Sequence, residues 1–404
     1  MADVSFDGLT VTLEEVQDNP AKYARELERA KKSPGYAVCR CKSGPGGTPL
    51  RLVIRRYGAL FHLARWPEEG YLHDPATCPF HALPTNDQHE GEESFEAICQ
   101  TPDGLNVRLD TSLSVRTVGV VIDRERREIA PNTVSRRSAP LLGFLQRIWI
   151  EARLHEWTGA ARSWGTCNAQ IVAALGVGKL NGKSMQDVLY VMRRYEPTEK
   201  AAIAAEFDAF LSRIKTSEGT SERGLLIAEL NAVEPSKYGF VIKVRQTHHS
   251  FFASKAVIDQ VTASFRSAWT LIGVPHARVV ALLVLERTKD GNLRVIDIAL
   301  QLCNSSFIPC DSSYEVAMAN RLVAERRRFK KPMRLVPGDD TLPDFQLTDT
   351  ATPTVIEVYG MHDNAQYLAR KTQKQALYAR AATPCVEWIP PADVRSVRLL
   401  VAAT

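Results

Sequence analysis

Acids and lysines that could serve metal-dependent phosphodiester chemistry lie near the end of the chain, in the stretch TLPDFQLTDTATPTVIEVYGMHDNAQYLARKTQKQALY. Asp344 follows a proline, Glu357 lies inside the apolar run VIEVYG, and Lys371 and Lys374 lie on a segment with helical character. Carboxylates can hold Mg²⁺ against a phosphate, and a nearby lysine can orient the attacking water. An ionised acid buried in an apolar strand is costly unless it is paired or metal-bound. The pattern therefore favours a functional role for Glu357.

Two strands and a helix must position these residues. Asp344 is predicted to begin the strand DFQLTD, and Glu357 lies in the next strand. Because strand side chains alternate with period two, a lysine two residues after Glu357 would share its face, but Tyr359 holds that position. The alternative is a non-catalytic α/β hairpin, in which Glu357 pairs with Arg370 or Lys371 and Asp344 is only a turn residue after proline.

These elements resemble the PD-(D/E)XK nuclease superfamily, whose core has a helix, a hairpin that carries the acids, and a second helix. The resemblance implies that Asp344 is the hairpin Asp, that Glu357 is the acid of the E-x-K element, and that both hold catalytic Mg²⁺. Glu315, in YEVAMANRL, resembles the acid that members often carry on the first helix. Some members place the lysine on the second helix, which implies that Lys371 or Lys374 completes the site.

Longer segments resemble the domain-of-unknown-function 1173 family over nearly the whole chain. This resemblance implies a bacterial mobile-element or plasmid context and no established activity. It is carried by the segments CRC, LARWPEEGYLHDPATCPFH, RSWGTCNAQIVAAL, LLIAELNAVEPSKYGFVIKV and SFIPCDSSYEVAMANRLVAERRRFKKPMRL.

A second set of chemistry-bearing residues lies near the N-terminus. Cys39-Arg40-Cys41 is followed by Cys78-Pro79-Phe80-His81, which supplies the four sulfur and nitrogen ligands that a tetrahedral zinc needs. Four protein ligands leave no open position, so the expected role is structural. His73 is a spare ligand candidate. The alternative is a set of free cysteines in a β domain.

Clustered basic residues could grip the phosphates of DNA, although such residues at a helix C-terminus can equally be a solvated cap. One set ends the helix before the hairpin and comprises Arg326, Arg327, Arg328, Lys330 and Lys331. A second set lies in the helical middle of the chain and comprises Arg136, Arg137, Arg162, Arg193 and Arg194.

Composition excludes few function classes. The chain has 404 residues, 45% hydrophobic and 24% charged, which is typical of a globular protein with several domains. The net charge of +5 is too small to establish a nucleic-acid partner by itself. No run has the length of a membrane span, and the acidic N-terminus lacks the features of a signal peptide. We therefore expect a cytoplasmic protein with DNA as partner and no membrane partner.

The pattern of elements predicts a multidomain α+β protein. The expected parts are a zinc-stabilised β module, a helical middle that suits a winged-helix module, an α/β region and, as the superfamily resemblance implies, a C-terminal α/β restriction-endonuclease-like domain. Their boundaries are set at 1–115, 116–220, 221–310 and 311–404.

Overall fold

The computed structural model describes residues 3–57, 60–66, 69–74, 77–81, 97–101, 104–116, 139–217, 219–333, 341–360 and 365–403. Over these residues the chain forms ten α-helices and several sheets, so the predicted α+β class is confirmed. No helix in this part of the chain is both long and apolar enough to cross a bilayer. Arg136 and Arg137 lie outside the described residues.

The N-terminal part of the chain forms a five-stranded antiparallel sheet. Its elements are β1 (Asp3–Phe6), β2 (Leu9–Thr12), α1 (Leu13–Asp18), α2 (Ala24–Lys32), β3 (Tyr36–Cys39), β4 (Leu50–Tyr57) and β5 (Leu60–Arg65). The strand order is β2-β1-β3-β4-β5. Inward-facing residues alternate along β4, where Leu50, Leu52 and Ile54 are buried. Leu27 and Ala30 of α2 pack on this face and complete a core of its own.

The described middle of the chain combines four α-helices with seven short strands. Its elements are β6 (Ile98–Thr101), β7 (Gly104–Val107), β8 (Ser114–Arg116), α3 (Leu141–Glu151), β9 (Glu156–Trp157), α4 (Trp164–Leu175), β10 (Lys179–Leu180), β11 (Lys183–Ser184), α5 (Met185–Val188), β12 (Leu189–Val191) and α6 (Lys200–Leu211). Helix α3 buries one face, because Phe144, Leu145, Ile148 and Trp149 recur at helical spacing and are all buried. The Trp149 indole donates to the Phe307 carbonyl at 3.2 Å, which fixes α3 against the later part of the chain.

The central sheet is built around two long strands. Its region contains β13 (Thr216–Ser217), β14 (Thr220–Glu222), β15 (Gly224–Ser236), β16 (Gly239–Val244), β17 (Phe251–Ala253), α7 (Lys255–Ser264), α8 (Arg266–Thr270), β18 (Ala277–Arg287) and β19 (Leu293–Asn304). The order is β12-β15-β16-β17-β19-β18, and a further β15–β18 pairing closes the order on itself. β18 and β19 form an antiparallel hairpin with one register shift at Val284–Leu285, and β18 is buried along most of its length because it pairs on both sides.

The C-terminal sheet carries the predicted acids. Its elements are α9 (Ser313–Ala324), β20 (Phe329–Lys330), β21 (Phe345–Leu347), β22 (Thr354–Val358), α10 (Ala365–Arg380) and β23 (Cys385–Trp388). Strands β20, β21 and β22 are antiparallel, whereas β23 pairs parallel to β22. A parallel pair needs a crossover, and α10 provides it. The order β23-β22-β21-β20-β9 shows that β9 from the middle of the chain extends this sheet.

Strand pairing joins the regions that were predicted as separate domains. β9 lies on the C-terminal sheet, β12 pairs with β15, and β14 pairs with β8. One hydrophobic core runs from Tyr57 to Trp388. The boundaries at 115, 220 and 310 and the winged-helix assignment stay predictions. The carboxylate-bearing sheet is nevertheless supported along one edge by the middle of the chain.

Candidate functional site

Three cysteines and a histidine meet near the end of β3. The Cys39 and Cys78 sulfurs are 3.6 Å apart, and His73 Nδ1 is 3.5 Å from both the Cys41 and the Cys78 sulfur. All four ligand atoms lie within 4.8 Å of one another. A tetrahedral zinc, with bonds of ~2.3 Å to sulfur and ~2.0 Å to nitrogen, separates two sulfurs by about 3.8 Å and sulfur from nitrogen by about 3.5 Å. The group, here called the Cys/His cluster, could therefore bind a metal such as zinc.

Local structure brings these ligands together. Cys39 ends β3 and faces inward with 1% exposure, and Cys41 follows two residues later. A 3₁₀ turn at Gly70–Leu72 turns the chain so that His73 is fully buried. The Cys41 sulfur accepts from the backbone N–H of Asp74 at 3.5 Å, which ties the two loops to each other.

The structure places His73 in the fourth position and leaves His81, the predicted ligand, outside the cluster. After Cys78 the chain turns at once, with the His81 N–H donating to the Cys78 carbonyl at 3.1 Å. The Arg153 guanidinium binds the carbonyls of Cys78 and Pro79 at 3.2 Å each and also that of His81, which fixes this turn. The C-x-x-H spacing does not reveal this turn, which is why the sequence predicted His81 as the ligand.

The thiols of the Cys/His cluster cannot all ionise without a cation. The hydrogen bond from Cys78 lowers the pKa of Cys39 to about 4, while the same bond raises the pKa of Cys78. Burial raises the pKa of Cys41. One thiolate shared with a neighbouring thiol is thus favoured in the metal-free state, and a bound cation would favour the others as well.

Glu357 lies in β22 with only 1% of its surface exposed. The Lys374 ammonium contacts both of its carboxylate oxygens, at 3.0 and 2.8 Å, and also the Leu342 carbonyl at 2.8 Å. The Tyr378 hydroxyl donates to the same carboxylate. Tyr378 lies four residues after Lys374, so both project from one face of α10. Sequence analysis missed Tyr378, although this spacing could have revealed it.

Lys371, the other predicted lysine, is turned elsewhere. Its ammonium lies 4.3 Å from the centre of the Tyr359 ring and 3.9 Å from a carboxylate oxygen of Glu387. Glu387 stands opposite Glu357 on β23. The structure therefore brings Lys374, and not Lys371, to Glu357. The pairing of Glu357 with Lys371 that the alternative interpretation expected is not the one observed.

Glu315 lies in the first turn of α9 and is 6% exposed. The Lys331 ammonium contacts it at 2.6 Å and also contacts Asp311, whose side chain is 75% exposed, at 2.8 Å. The Asp311 N–H donates to the Glu315 carboxylate at 3.0 Å. Sequence analysis missed Asp311, because its place beside Lys331 depends on the loop before α9.

Asp344 lies between these two ion pairs. Its carboxylate accepts from the backbone N–H of Val358 at 2.7 Å, just past Glu357 on β22. Burial raises the pKa of Asp344, and the charge of Glu357 raises it further, against the opposing charge of Lys331. Burial likewise raises the pKa of Glu315 to about 7, with the charge of Asp344 contributing in the same direction.

These residues form one charged group, here called the carboxylate cluster. Its members are Asp311, Glu315, Asp344, Glu357, Lys331 and Lys374. With all groups ionised, four acids face two lysines, which leaves an excess of two negative charges. Among the described residues, only the Cys/His cluster has at least three ligand atoms all within 4.8 Å of one another. The carboxylate oxygens of Glu315, Asp344 and Glu357 are thus farther apart than the prediction of one shared ion requires. A lysine contacts each of the two outer acids, Glu315 and Glu357.

The basic run before the hairpin does not form the exposed patch that phosphate binding needs. Arg327 is 8% exposed and makes two hydrogen bonds to Asp349, at 2.9 and 2.8 Å. Lys331 is 4% exposed and belongs to the carboxylate cluster. Burial thus corrects the prediction for these two residues. Arg326 is exposed, while Arg328 and Lys330 are half-buried.

The middle arginines differ in the same way. Arg162 is half-buried and donates to the carbonyls of Leu154, Ser306 and Glu156, so its guanidinium has a structural role. Arg193 is buried and pairs with two glutamates of the α6 region. Arg194 remains half-exposed, 3.9 Å from Asp18.

The chain was compared with known protein families, proteins and structures. A family model described as "Protein of unknown function (DUF1173)" matches residues 10–391. No match was found among curated proteins or among solved structures. The matched residues include both the Cys/His cluster and the carboxylate cluster.

Replacing His73 by Ala is expected to remove most of the metal bound to the purified protein, because His73 Nδ1 supplies the fourth ligand. His81→Ala is the matched control and should retain about one ion per chain. Elemental analysis by mass spectrometry measures both. If only the His81 variant lost its metal, the ligand set predicted from the sequence would be the correct one.

Arg327→Met is expected to lower the free energy of unfolding by about 3 kcal/mol, because it leaves the Asp349 carboxylate buried without its partner. The neighbouring exposed residue gives a control, Arg326→Met, which should change stability by less than about 0.5 kcal/mol. Urea denaturation followed by circular dichroism gives both values. Equal effects would mean that the Arg327–Asp349 pair does not form.

The contribution of Glu315 to stability is expected to fall as pH rises from about 4.5 to about 7, because the pKa of Glu315 is about 7 in the folded protein and near 4.5 in the unfolded chain. Between these two pH values the folded state binds the Glu315 proton more tightly than the unfolded chain does. The loss of stability is therefore complete above the folded-state pKa. Glu315→Gln should reduce the fall by about 1–3 kcal/mol. Urea midpoints across this range, with Glu325→Gln as the exposed control, test this. Parallel curves for wild type and the Glu315 variant would contradict it.

Proposed function

Because the chain belongs to the DUF1173 family, whose description assigns no activity, we propose a function from its own site: Mg²⁺-dependent hydrolysis of DNA phosphodiesters at the carboxylate cluster. The observation that carries this proposal is the contact of Lys374 with Glu357. A lysine on α10 supplies the charge that Tyr359, in the expected lysine position, lacks. The family prediction is confirmed by the match, whereas the nuclease assignment is our proposal.

The order of elements supports the proposal. Helix α9 carries Glu315, the β21–β22 hairpin carries Asp344 and Glu357, and α10 carries Lys374. This order of helix, acid-bearing hairpin and helix resembles the core of the PD-(D/E)XK superfamily. Strand β23 then pairs parallel to β22, so α10 must cross over the face of the sheet and bring Lys374 to Glu357.

The charge of the cluster fits a divalent cation. Its excess of two negative charges equals the charge that Mg²⁺ would neutralise, and oxygen ligands are those that Mg²⁺ prefers. Asp344 and Glu357 would hold the ion, with Glu315 on the α9 side. A bound Mg²⁺ would polarise the scissile phosphate and lower the pKa of a water.

The residues of the chain divide the remaining work. Lys374 lies against Glu357 and the Leu342 carbonyl, so its ammonium is held where it can orient the attacking water and offset charge on the phosphate. Tyr378 fixes the Glu357 carboxylate from the other side. The charge of Lys331 opposes the effect of burial on the pKa of Glu315, which burial nevertheless raises to about 7.

The Cys/His cluster has a structural role in this proposal. Cys39, Cys41, His73 and Cys78 would hold zinc with four protein ligands, which would leave no position for substrate. A bound zinc would fix the loops at Cys41 and Cys78, and Arg153 connects the second of these loops to Glu156 on β9. The N-terminal module thereby braces the edge of the carboxylate-bearing sheet.

A non-catalytic DNA-binding or assembly protein with a degenerate nuclease fold is the second candidate. The observation in its favour is that, within the part of the chain that the structure describes, no three acids of the carboxylate cluster bring ligand atoms within 4.8 Å of one another. A cytoplasmic location and a mobile-element context stay predictions under either function.

Cleavage of plasmid DNA with Mg²⁺ tests the proposal. Lys374→Met is expected to slow cleavage by at least about 10²-fold, because it removes the charge beside Glu357. Lys371→Met, three residues earlier on the same helix, is the matched control and should retain activity. Gel analysis of nicked and linear products, with Asp344→Asn as a second inactive variant, measures the rates.

Two results would refute the catalytic claim. One is equal cleavage by wild type and by the Lys374 and Asp344 variants, which would indicate a contaminating nuclease. The other is DNA binding that is salt-sensitive yet indifferent to Mg²⁺, without cleavage, which the second candidate predicts.

A further inference from the structure

Five strands of the central sheet close into a barrel. Their order is β15-β16-β17-β19-β18, and the β15–β18 pairing joins the two ends of this order. β17 pairs parallel to β19, whereas the other four pairings are antiparallel. Helices α7 and α8 come between β17 and β18 in the chain and pack against β19. The chain from Gly224 to Asn304 thus forms one barrel with a helical connection after its third strand.

This strand order is that of the oligonucleotide- and oligosaccharide-binding barrels. In those barrels the second and third strands present the binding face, and the loops between strands 1 and 2 and between strands 4 and 5 border it. The corresponding parts of this chain are the outer face of β16 and β17, the turn at Lys237–Tyr238 and the turn at 288–292. A topology does not establish a ligand, so the side chains on this face have to indicate one.

Two exposed aromatic side chains lie on or beside this face. Phe252 on β17 is 38% exposed, whereas its neighbours Phe251 and Ala253 are buried, so Phe252 points out of the barrel. Tyr238 in the β15–β16 turn is 85% exposed. This turn lies next to β17, because Gly239 packs so closely on the Ala253 carbonyl that a β-carbon would not fit. The two rings offer stacking surfaces at neighbouring places on the barrel.

The strand register places Phe252 in a row of outward-facing residues. Val241 on β16 pairs with Phe252, and Phe252 pairs in turn with Arg294 on β19. Paired residues on neighbouring strands point to the same side of a sheet. Lys243 lies two residues after Val241 and therefore points outward as well. The side chains of Lys243 and Arg294 are both about half-exposed, so cations lie on two sides of the Phe252 ring.

The charges around this row favour an anionic ligand. They belong to the cations Arg223, Lys237, Lys243 and Arg294 and to the acids Glu234 and Glu286. Lys243 pairs with Glu234 at 2.6 Å, and Glu286 contacts Arg223 at 3.0 Å and also Arg294. The second bordering turn adds Lys289 and Asp290, whose charges cancel. Four cations thus face two acids, which leaves an excess of two positive charges on this side of the barrel.

We propose that this face of the barrel binds a single-stranded nucleic acid. Its bases stack on Phe252 and Tyr238. Its phosphates meet Lys243 and Arg294, and also Lys237, whose ammonium lies 5.1 Å from the centre of the Tyr238 ring. Aromatic rings for the bases and positive charge for the backbone are together what holds a single strand. An oligosaccharide could stack on the rings but would leave the excess charge unmatched.

This site goes beyond the proposed nuclease function and does not depend on it. The barrel face lies on β16, β17 and β19, whereas the acids of the carboxylate cluster lie on or beside α9 and the β21–β22 hairpin. Strand binding can therefore be measured without any cleavage step. It would give the protein a hold on unpaired nucleic acid whether or not the carboxylate cluster is catalytic.

Fluorescence anisotropy with the full-length, zinc-loaded protein tests the inference, in buffer without added Mg²⁺. The probe is a labelled oligo-dT strand of about 16 nucleotides, the upper site size of one such barrel. Phe252→Ala and Tyr238→Ala should each weaken binding at least about five-fold, because each removes a stacking ring. Phe252→Trp keeps a ring and should retain binding. Tyr195→Ala removes an exposed aromatic outside the barrel and is the matched control, which should bind as the wild type does.

Two further measurements separate a single strand from other polyanions. Lys237→Gln should reduce the slope of log affinity against log salt by about 0.7, the value for one phosphate contact on a single strand. A duplex of the same length should bind at least about ten-fold more weakly, because its paired bases offer no free ring faces. Oligo-U of the same length then shows which sugar the face prefers.

Unchanged binding in both aromatic variants, equal binding of the duplex, or no binding of either strand would overturn the inference. Circular dichroism checks that the Phe252 variant is folded, and Tyr238→Ala keeps the test decisive because its side chain lies in an exposed turn. Strand binding without cleavage would reject the nuclease and keep the barrel site. Cleavage with binding that is indifferent to both rings would do the reverse.

Discussion

A carboxylate at the centre of a sheet must be neutralised where it lies, and the C-terminal part of this protein is arranged around that requirement at Glu357. The residue is almost fully buried, and its neighbours on β22 are apolar. The cation has to come from outside the strand, so α10 crosses the sheet with Lys374 on its inner face. The parallel pairing of β22 with β23 requires that crossover. Helix α10 thus satisfies both requirements, because it is the crossover that the parallel pair needs and it carries the cation that Glu357 needs.

Glu315 repeats the same principle at the other end of the cluster. Its cation comes from Lys331, just after β20, and the Lys331 backbone N–H donates to the His155 carbonyl at 2.8 Å beside β9. The position of that lysine therefore depends on a two-stranded contact between distant parts of the chain. Asp344 lies between the two pairs, where burial and the charge of Glu357 raise its pKa against the opposing charges of Lys331 and Lys374.

Local pattern was enough to predict part of this arrangement. The alternating and apolar runs identified the hairpin and Glu357, and the close spacing of Cys39 with Cys41 identified two thiols of the Cys/His cluster. Contacts between distant segments decided what the pattern left open. His73 is favoured over His81 by a turn and by its packing beside the Phe80 ring, which no spacing expresses. The sequence predicted Arg327 and Lys331 to be surface cations, because their partners Asp349 and Glu315 lie on other elements.

Arg153 gives the two clusters a thermodynamic relation. Its one guanidinium binds carbonyls of the loop that carries Cys78 and also the Glu156 carboxylate on β9. Because β9 is the edge strand of the sheet that carries the acids, Arg153 connects that sheet to a loop of the Cys/His cluster. Linkage through such a connection is reciprocal: if zinc at the N-terminal loops tightened ion binding at the acids by some factor, an ion at the acids would tighten zinc binding by the same factor. Under the proposed function, the affinity of the protein for zinc would then report on whether an ion occupies the acids.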